Sequence, residues 1–320
     1  MGDRVFERLA EPQKLKDRPL MVFAADPLVS TGIRGLGTEW FPTLHTRNRA
    51  EFLQLCRDTA TDGYVDGVLM TIADAEVLAL KERFFDNIDV TPLVRFNAET
   101  NIWNPRHGRY RDSPSIPFTT VQPAQGGICS IDQSGMECAR DCSIRLGLYS
   151  LTLNNDVEAD WRSLRTYLDF AADVAKTPDL GHFLEVFLPN VNQPGMDNEA
   201  MGQYVADSIT RTMAYLRADQ RPAFIKTAYT TAEVWKEFCD FDPTLAIGAL
   251  GGARINARKS LQLAHDVTEY GGVLILFGRN IYQEDNPRAM CKALRAVLDR
   301  TATVDQAHQE YQQSVRDMHG

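Results

Sequence analysis

Eight short apolar runs, most of them followed by a stretch with helical spacing, restrict this chain more than any other feature. The runs are Leu20–Asp26, Asp66–Met70, Thr91–Phe96, Ile144–Tyr149, His182–Leu188, Pro222–Lys226, Leu245–Leu250 and Gly272–Phe277. Between them, residues 47–60 place Phe52, Leu53 and Cys56 on one helical side, and Ala73 to Phe84 continues the pattern. Asn155 and Glu158 fit a capping box before a face of Trp161, Leu164, Leu168 and Ala171. Residues 198–217 read as helix, Gly271 suits a helix C-cap, and Asn286-Pro287 suits an N-cap and first helical residue. Strands alternating with helices at intervals of a few tens of residues are what a closed parallel barrel requires. The expectation is a single α/β domain, a (β/α)8 barrel. It carries an N-terminal arm at 1–19, a long insertion at 97–142 between strands three and four, and a polar helical tail at 302–320. The rival is an open doubly wound sheet, which usually has a glycine-rich turn directly after its first strand. Here Gly32, Gly35 and Gly37 come several residues too late and at the wrong spacing.

The formal net charge of -9 argues against a general nucleic-acid surface, though not against a local basic pocket. No apolar run approaches the ~20 residues of a membrane span, and the charged start, Met1 to Arg18, has no signal-peptide core. A cytoplasmic protein is expected, with no nucleic-acid or membrane partner; association into a homo-oligomer is expected without a fixed symmetry. The cysteines (Cys56, Cys129, Cys138, Cys142, Cys239, Cys291) lack a paired zinc spacing and read as reduced structural or surface thiols. The scattered histidines give no metal motif, so no metal and no cofactor is called for. The insertion holds Arg106, His107, Arg109, Tyr110 and Arg111, which suit a basic lid, a solvated loop or a subunit-contact arm.

Chemistry concentrates at the C-terminal ends of the strands. Phe224-Ile225-Lys226 is an apolar run ending in a lysine, and Thr230 with Glu233 fits a capping box just beyond it. Strand, lysine, loop, helix is how a barrel presents an amine at its active-site face. Asp26, Arg145 and Glu185 are further charges in apolar strands, costly unless paired or functional. Lys226 is the expected Schiff-base nucleophile. A normal lysine titrates near ~10.4, so it needs desolvation or a nearby cation, a part Arg145 could take. Glu185 could shuttle protons, and Asp26 could hold a substrate hydroxyl. Plainer roles stand beside these: Lys226 reaching solvent, Arg145 and Glu185 as a structural ion pair, Asp26 as a turn residue. Gly251 and Gly252 after strand seven, and Gly278 and Arg279 after strand eight, suit the phosphate site that barrels commonly hold there.

At these residues the chain resembles the class I (Schiff-base) aldolase superfamily of deoxyribose-phosphate aldolase, tagatose-bisphosphate aldolase and archaeal-type fructose-bisphosphate aldolase. Gly272–Gln283 is similar to that superfamily's last-strand phosphate motif, and Phe224-Ile225-Lys226 to its lysine strand. Phe183-Leu184-Glu185 and Ile144–Tyr149 look like strands of the tagatose-bisphosphate branch, with Arg145 standing where a second lysine is usual. Asp26 sits where the family has its first-strand aspartate. The resemblance implies a metal-independent aldehyde-lyase. Lys226 would form the Schiff base with a phosphorylated ketose, Glu185 and Asp26 would assist proton transfer, and dihydroxyacetone phosphate would be the expected product with an aldehyde. Alternatives on the same scaffold are a transaldolase- or thiolase-like transferase, an isomerase, or a silent sugar-phosphate-binding barrel.

Overall fold

Period-two alternation organises the strands into a closed cylinder. The computed structural model describes residues 4–319 apart from 11, 30, 41–42, 99–104, 124–143 and 178. Its strands are β1 (Leu20–Ala25), a small antiparallel pair β2 (Thr38–Glu39) and β3 (His45–Thr46), then β4 (Gly67–Met70), β5 (Thr91–Arg95), β6 (Leu146–Thr152), β7 (Gly181–Phe187), β8 (Ile225–Thr227), β9 (Ile247–Leu250) and β10 (Leu274–Phe277). All but β2 and β3 form one parallel barrel in the order β1-β10-β9-β8-β7-β6-β5-β4, closed by β1 against both β10 and β4. This is the expected (β/α)8 barrel.

Two apolar sets follow from the pleat. Leu20, Val22, Leu69, Leu93, Leu146, Leu148, Phe183, Phe224, Leu274 and Leu276 fill the barrel interior. Their neighbours Met21, Phe23, Val94, Tyr149, Leu184, Ile225 and Phe277 face the helices. Burying each such side chain contributes about 1.5–3 kcal/mol before entropy is subtracted. Gly147 faces outward, where a Cβ would lie 1.7 Å from the Phe96 ring, so the position has no room for any other residue.

The helices start where side chains can accept orphan N–H groups. Asn48 and Glu51 form a reciprocal capping box before Arg49–Thr61. Asn286 caps Pro287–Leu298, with proline in the first turn as expected. Two caps differ by one residue from the sequence expectation. Thr231, not Thr230, caps Ala232–Phe241, and Asp156, not Asn155, caps Val157–Val174. Thr230 is instead packed tightly over Gly202, and Asn155 takes a left-handed φ of 54° that Asn tolerates.

The described part of the arm, residues 4–10 and 12–19, closes the N-terminal mouth. Val5 and Leu15 join the inner core, while Asp66 accepts from the Met21 N–H at 2.7 Å and from Arg8 at 2.9 Å. The tail is a helix, Val304–His319, whose Ala307 and Tyr311 are buried; Tyr311 donates to Glu284 at 2.9 Å. Of the insertion, residues 97–98 and 105–123 are described, the latter as a separate segment. That segment returns to the end of β5, where the Val121 N–H donates to Phe96 O and Asn97 bridges Thr120. Cys129, Cys138 and Cys142 lie outside the described residues. Cys56 and Cys291 are buried with thiols pushed up by desolvation, as inert core cysteines are. No helix among the described residues is long and apolar enough to cross a membrane.

Candidate active site

Phe224 faces the interior and Ile225 the helices, so the next residue, Lys226, points into the barrel near its C-terminal mouth. Parallel register sets Glu185 of β7 directly beside it, and Ser150 of β6 directly beside Glu185. Lys226 Nζ lies 2.5 Å from Glu185 Oε1, with both side chains almost wholly buried. The other carboxylate oxygen, Oε2, accepts from Ser150 Oγ at 2.6 Å and from Arg95 Nη2 at 3.0 Å. Arg95 ends β5 and joins the cluster through all three nitrogens. Its Nη1 donates to Ser150 Oγ at 2.6 Å, and its Nε donates to Asp26 Oδ2. Asn97 and Ser150 exchange a reciprocal pair of bonds at 2.7 and 2.8 Å, fixing β6 against the end of β5.

Two cations and two carboxylates therefore balance inside the barrel. Such a cluster persists only when each charge is hydrogen-bonded, and here the partners are in place. Burial alone pushes the Glu185 carboxyl up. The Lys226 and Arg95 charges, with the bonds from Lys226 and Ser150, overcome it and hold Glu185 at about 2. Glu185 is thus an anion at neutral pH, with Lys226 Nζ 2.5 Å away.

The cluster floors an open cavity at the C-terminal face, lined by Asp26, Arg95, Glu185, Phe187, Lys226, Gly251, Gly252, Gly278, Arg279 and Tyr282. The glycines of two loops meet on one side. Asn280 ties those loops together, donating to Gly251 O at 2.7 Å and accepting from the Ile255 N–H at 3.0 Å. A Cβ at Gly278 would lie 2.7 Å from Ala24 O, so the chain can pass there only as glycine. Arg279 is half-buried, lines the cavity and, among the described residues, has no carboxylate partner. Arg47 supports this side from below, donating to Tyr282 O at 2.7 Å while almost wholly buried.

The structure brings together Asp26, Glu185, Lys226, Gly251, Gly252, Gly278 and Arg279, seven of the residues singled out from the sequence. Arg145 is not among them. It precedes β6 at the N-terminal mouth, with its guanidinium over the Phe6 ring of the arm at 5.4 Å. Residues 146, 148 and 150 face inward, so 145 faces away, and it lies five residues before the level of Glu185. The cation at the centre is Arg95, which meets the criterion that singles out Lys226: a charge at the C-terminal end of an apolar strand.

This architecture is a (β/α)8 barrel with a buried lysine–glutamate pair at its C-terminal mouth and a glycine-rich, arginine-bearing rim. The fold is shared with fructose-bisphosphate aldolases of the archaeal type. An archaeal fructose 1,6-bisphosphate aldolase matches at a TM-score of 0.61 and 15% identity, over 91% of this chain and 99% of that one. The fructose-bisphosphate aldolase of Slackia heliotrinireducens matches at 0.66 and 17%, over 96% and 91%. In sequence, 61 residues (19% of the chain) are 36% identical to the 3-hydroxy-5-phosphonooxypentane-2,4-dione thiolase of Shigella flexneri serotype 5b (strain 8401). The same holds for the thiolase of that name from Escherichia coli (strain K12). The match spans only 24% and 21% of the length of these two relatives. No protein-family model matches the chain.

Proposed function

We propose that this protein is a metal-independent class I aldolase acting on a phosphorylated ketose. The observation that carries the reading is the 2.5 Å contact of Lys226 with Glu185 beneath a cavity rimmed by Arg279. Arg279 and the glycines of the β9 and β10 loops hold the phosphate. Lys226 passes a proton to Glu185, leaving an amine and a carboxylic acid. The amine adds to the ketone carbon, and proton transfer from nitrogen to oxygen gives a neutral carbinolamine. Glu185 protonates the hydroxyl, water departs, and the iminium remains. Glu185, again an anion, takes the proton of the hydroxyl two carbons from the iminium carbon. The intervening C–C bond breaks, an aldehyde leaves and the electron pair settles in an enamine. Protonation of the enamine carbon and hydrolysis release the second product, dihydroxyacetone phosphate, and restore Lys226. Asp26, joined to Glu185 through Arg95, holds a substrate hydroxyl. Proton transfers of this kind contribute about 10²–10⁴-fold.

The fold neighbours support this reading; one is described with its catalytic lysine covalently bound to a carbinolamine intermediate. Borohydride trapping with dihydroxyacetone phosphate, followed by peptide mass mapping, tests it. An adduct on Lys226, absent from a folded Lys226→Met variant, is expected; no adduct in the unaltered protein refutes the assignment. The thiolase name of the sequence relatives favours a second reading, carbon–carbon cleavage with transfer to an acceptor. An aldolase cleaves with no acceptor present, whereas a transferase depends on one.

A further inference from the structure

We propose that Thr152, with Ser115 and Asn154 behind it, forms a neutral hydrogen-bonding subsite for the far end of the substrate. The preferred ketose then carries one phosphate, and its far end is hydroxylated. This rests on the aldolase reading and adds the substrate class.

The order of strands sets the direction. In the ring β1-β10-β9-β8-β7-β6-β5-β4, β10 and β6 are four strands apart by either route and so face each other across the mouth. Lys226 on β8 lies midway between them. A ketose anchored by its phosphate at the β9 and β10 loops, with its carbonyl at Lys226, extends its remaining carbons toward β6.

On β6 the inward positions nearest the mouth are Ser150 and Thr152. Ser150 is committed to Arg95 and Glu185. Thr152 lies two residues further, roughly 7 Å closer to the mouth. It pairs in register with Phe187, which lines the central cavity. Thr152 is 1% exposed, yet among the described residues its Oγ1 has no hydrogen-bond partner. Two more buried polar atoms share that condition in the same patch, Asn154 Nδ2 and Ser115 Oγ. Asn190 links the Asn154 side chain to the Ser115 backbone. Its N–H donates to Asn154 Oδ1 at 3.0 Å, its Oδ1 accepts from the Ser115 N–H at 3.0 Å, and its Nδ2 donates to Ser113 O at 2.9 Å. The 110–115 segment is thereby clamped over the end of β6. Orphaned buried polar atoms are rare because each costs free energy, and three in one patch beside an active site point to a ligand that satisfies them.

The donor set names the ligand. Two hydroxyls and an amide NH₂ suit the oxygens of a polyol or aldehyde. Among the described residues the patch has no buried cation of its own: on the covering segment Arg109 is paired with Asp112, and Arg106 and Arg111 are exposed. A carboxylate is present instead, since Asp160 Oδ1 accepts from the Asn154 N–H at 2.7 Å. A second phosphate there would meet a like charge and no counter-ion.

Cleavage of a panel of ketohexose 1-phosphates and their 1,6-bisphosphates, alongside borohydride trapping with dihydroxyacetone phosphate, tests the proposal. A monophosphate should lead its bisphosphate by tenfold or more in kcat/KM. Thr152→Val should lower kcat/KM for the best monophosphate by about tenfold. It should leave trapping by the triose phosphate unchanged, since that ligand fills only the other half of the site. Its Tm should hold or rise, because valine buries no unpaired hydroxyl. Ser115→Ala should act in the same direction. A preference for bisphosphates overturns the proposal, as does an unchanged kcat/KM in both variants. A lowered Tm with unaltered kinetics would make Thr152 the host of a structural water and equally overturn it. Failure of the unaltered enzyme to trap the triose phosphate takes down the aldolase reading itself, a result separable from these.

Discussion

Replacing Glu185 by glutamine keeps the shape of the side chain and removes the charge that both Lys226 and Arg95 face. In the native protein the Glu185 carboxyl is held at about 2, below its ordinary 4.5. As pH falls through 4.5 the unfolded chain binds a proton there, while the native state does so only near 2. The ion cluster therefore stabilises the native state fully above about 4.5 and loses that contribution between 4.5 and 2. The gap amounts to about 3 kcal/mol, roughly a hundredfold in the folding equilibrium. Urea unfolding of the native protein and of Glu185→Gln, measured at intervals from pH 6 to pH 2, isolates it. All other carboxylates titrate in both proteins, so the difference between the two curves reports Glu185 alone. The native protein should lose about 3 kcal/mol more than the variant across the window. Parallel curves would mean that Lys226 and Arg95 do not hold the Glu185 carboxyl down, and would refute the reading of the cluster as a set of mutually stabilising charges. At neutral pH the same variant should retain phosphate binding and lose about 10²–10⁴-fold in kcat, because no acid remains beside Lys226 to expel water.

Arg95→Leu should cost about 3–5 kcal/mol in urea unfolding, since Asp26 loses its cation and Glu185 keeps only Lys226; a loss under 1 kcal/mol would place the cluster in contact with bulk water. Arg279→Ala should raise KM for phosphorylated substrate by about 10–100-fold with kcat nearly unchanged, as steady-state kinetics would show. Arg145→Ala should leave kcat and KM within about twofold, because Arg145 lies over Phe6 at the closed end of the barrel; a large fall in kcat would restore it to the site.

Most of the fold is legible in the chain because parallel strands buried on both faces are short, apolar and separated by capped helices. Leu20–Ala25 and Leu274–Phe277 stand out for that reason. The site is legible only in part. Lys226 is conspicuous because two aromatic or branched residues precede it and cap residues follow it. Arg95 carries the same signal, an arginine closing the run Thr91-Pro92-Leu93-Val94, but no spacing along the chain says that it reaches Asp26 from one side and Glu185 from the other. Arg145 is conspicuous in sequence and misplaced in space because a strand's inward face is set by parity. The odd positions of β6 face the helices, and a one-residue difference in register moves a side chain from the centre to the outside.

The position of the cations explains why the cluster takes this form. In the proposed reaction Lys226 gives its proton to Glu185, so that pair passes from two charges to none, and Asp26 would be a buried anion without a cation in a site that lacked Arg95. Arg95 removes the difficulty. It stays charged throughout, bonded to Glu185 at 3.0 Å and to Asp26 on its other edge, so Asp26 keeps its counter-charge while, on the proposed mechanism, Lys226 passes between ammonium, amine and iminium. Ser150, bonded to both Arg95 and Glu185 and locked by Asn97, holds the geometry through that cycle. An Arg95→Lys variant separates charge from shape. It keeps one cation but has no fork with which to reach Asp26, Ser150 and Glu185 together. It should therefore recover much of the stability lost in Arg95→Leu while recovering little of the turnover. Full recovery of turnover by lysine would show that charge alone matters at this position and that the three-way contact is incidental.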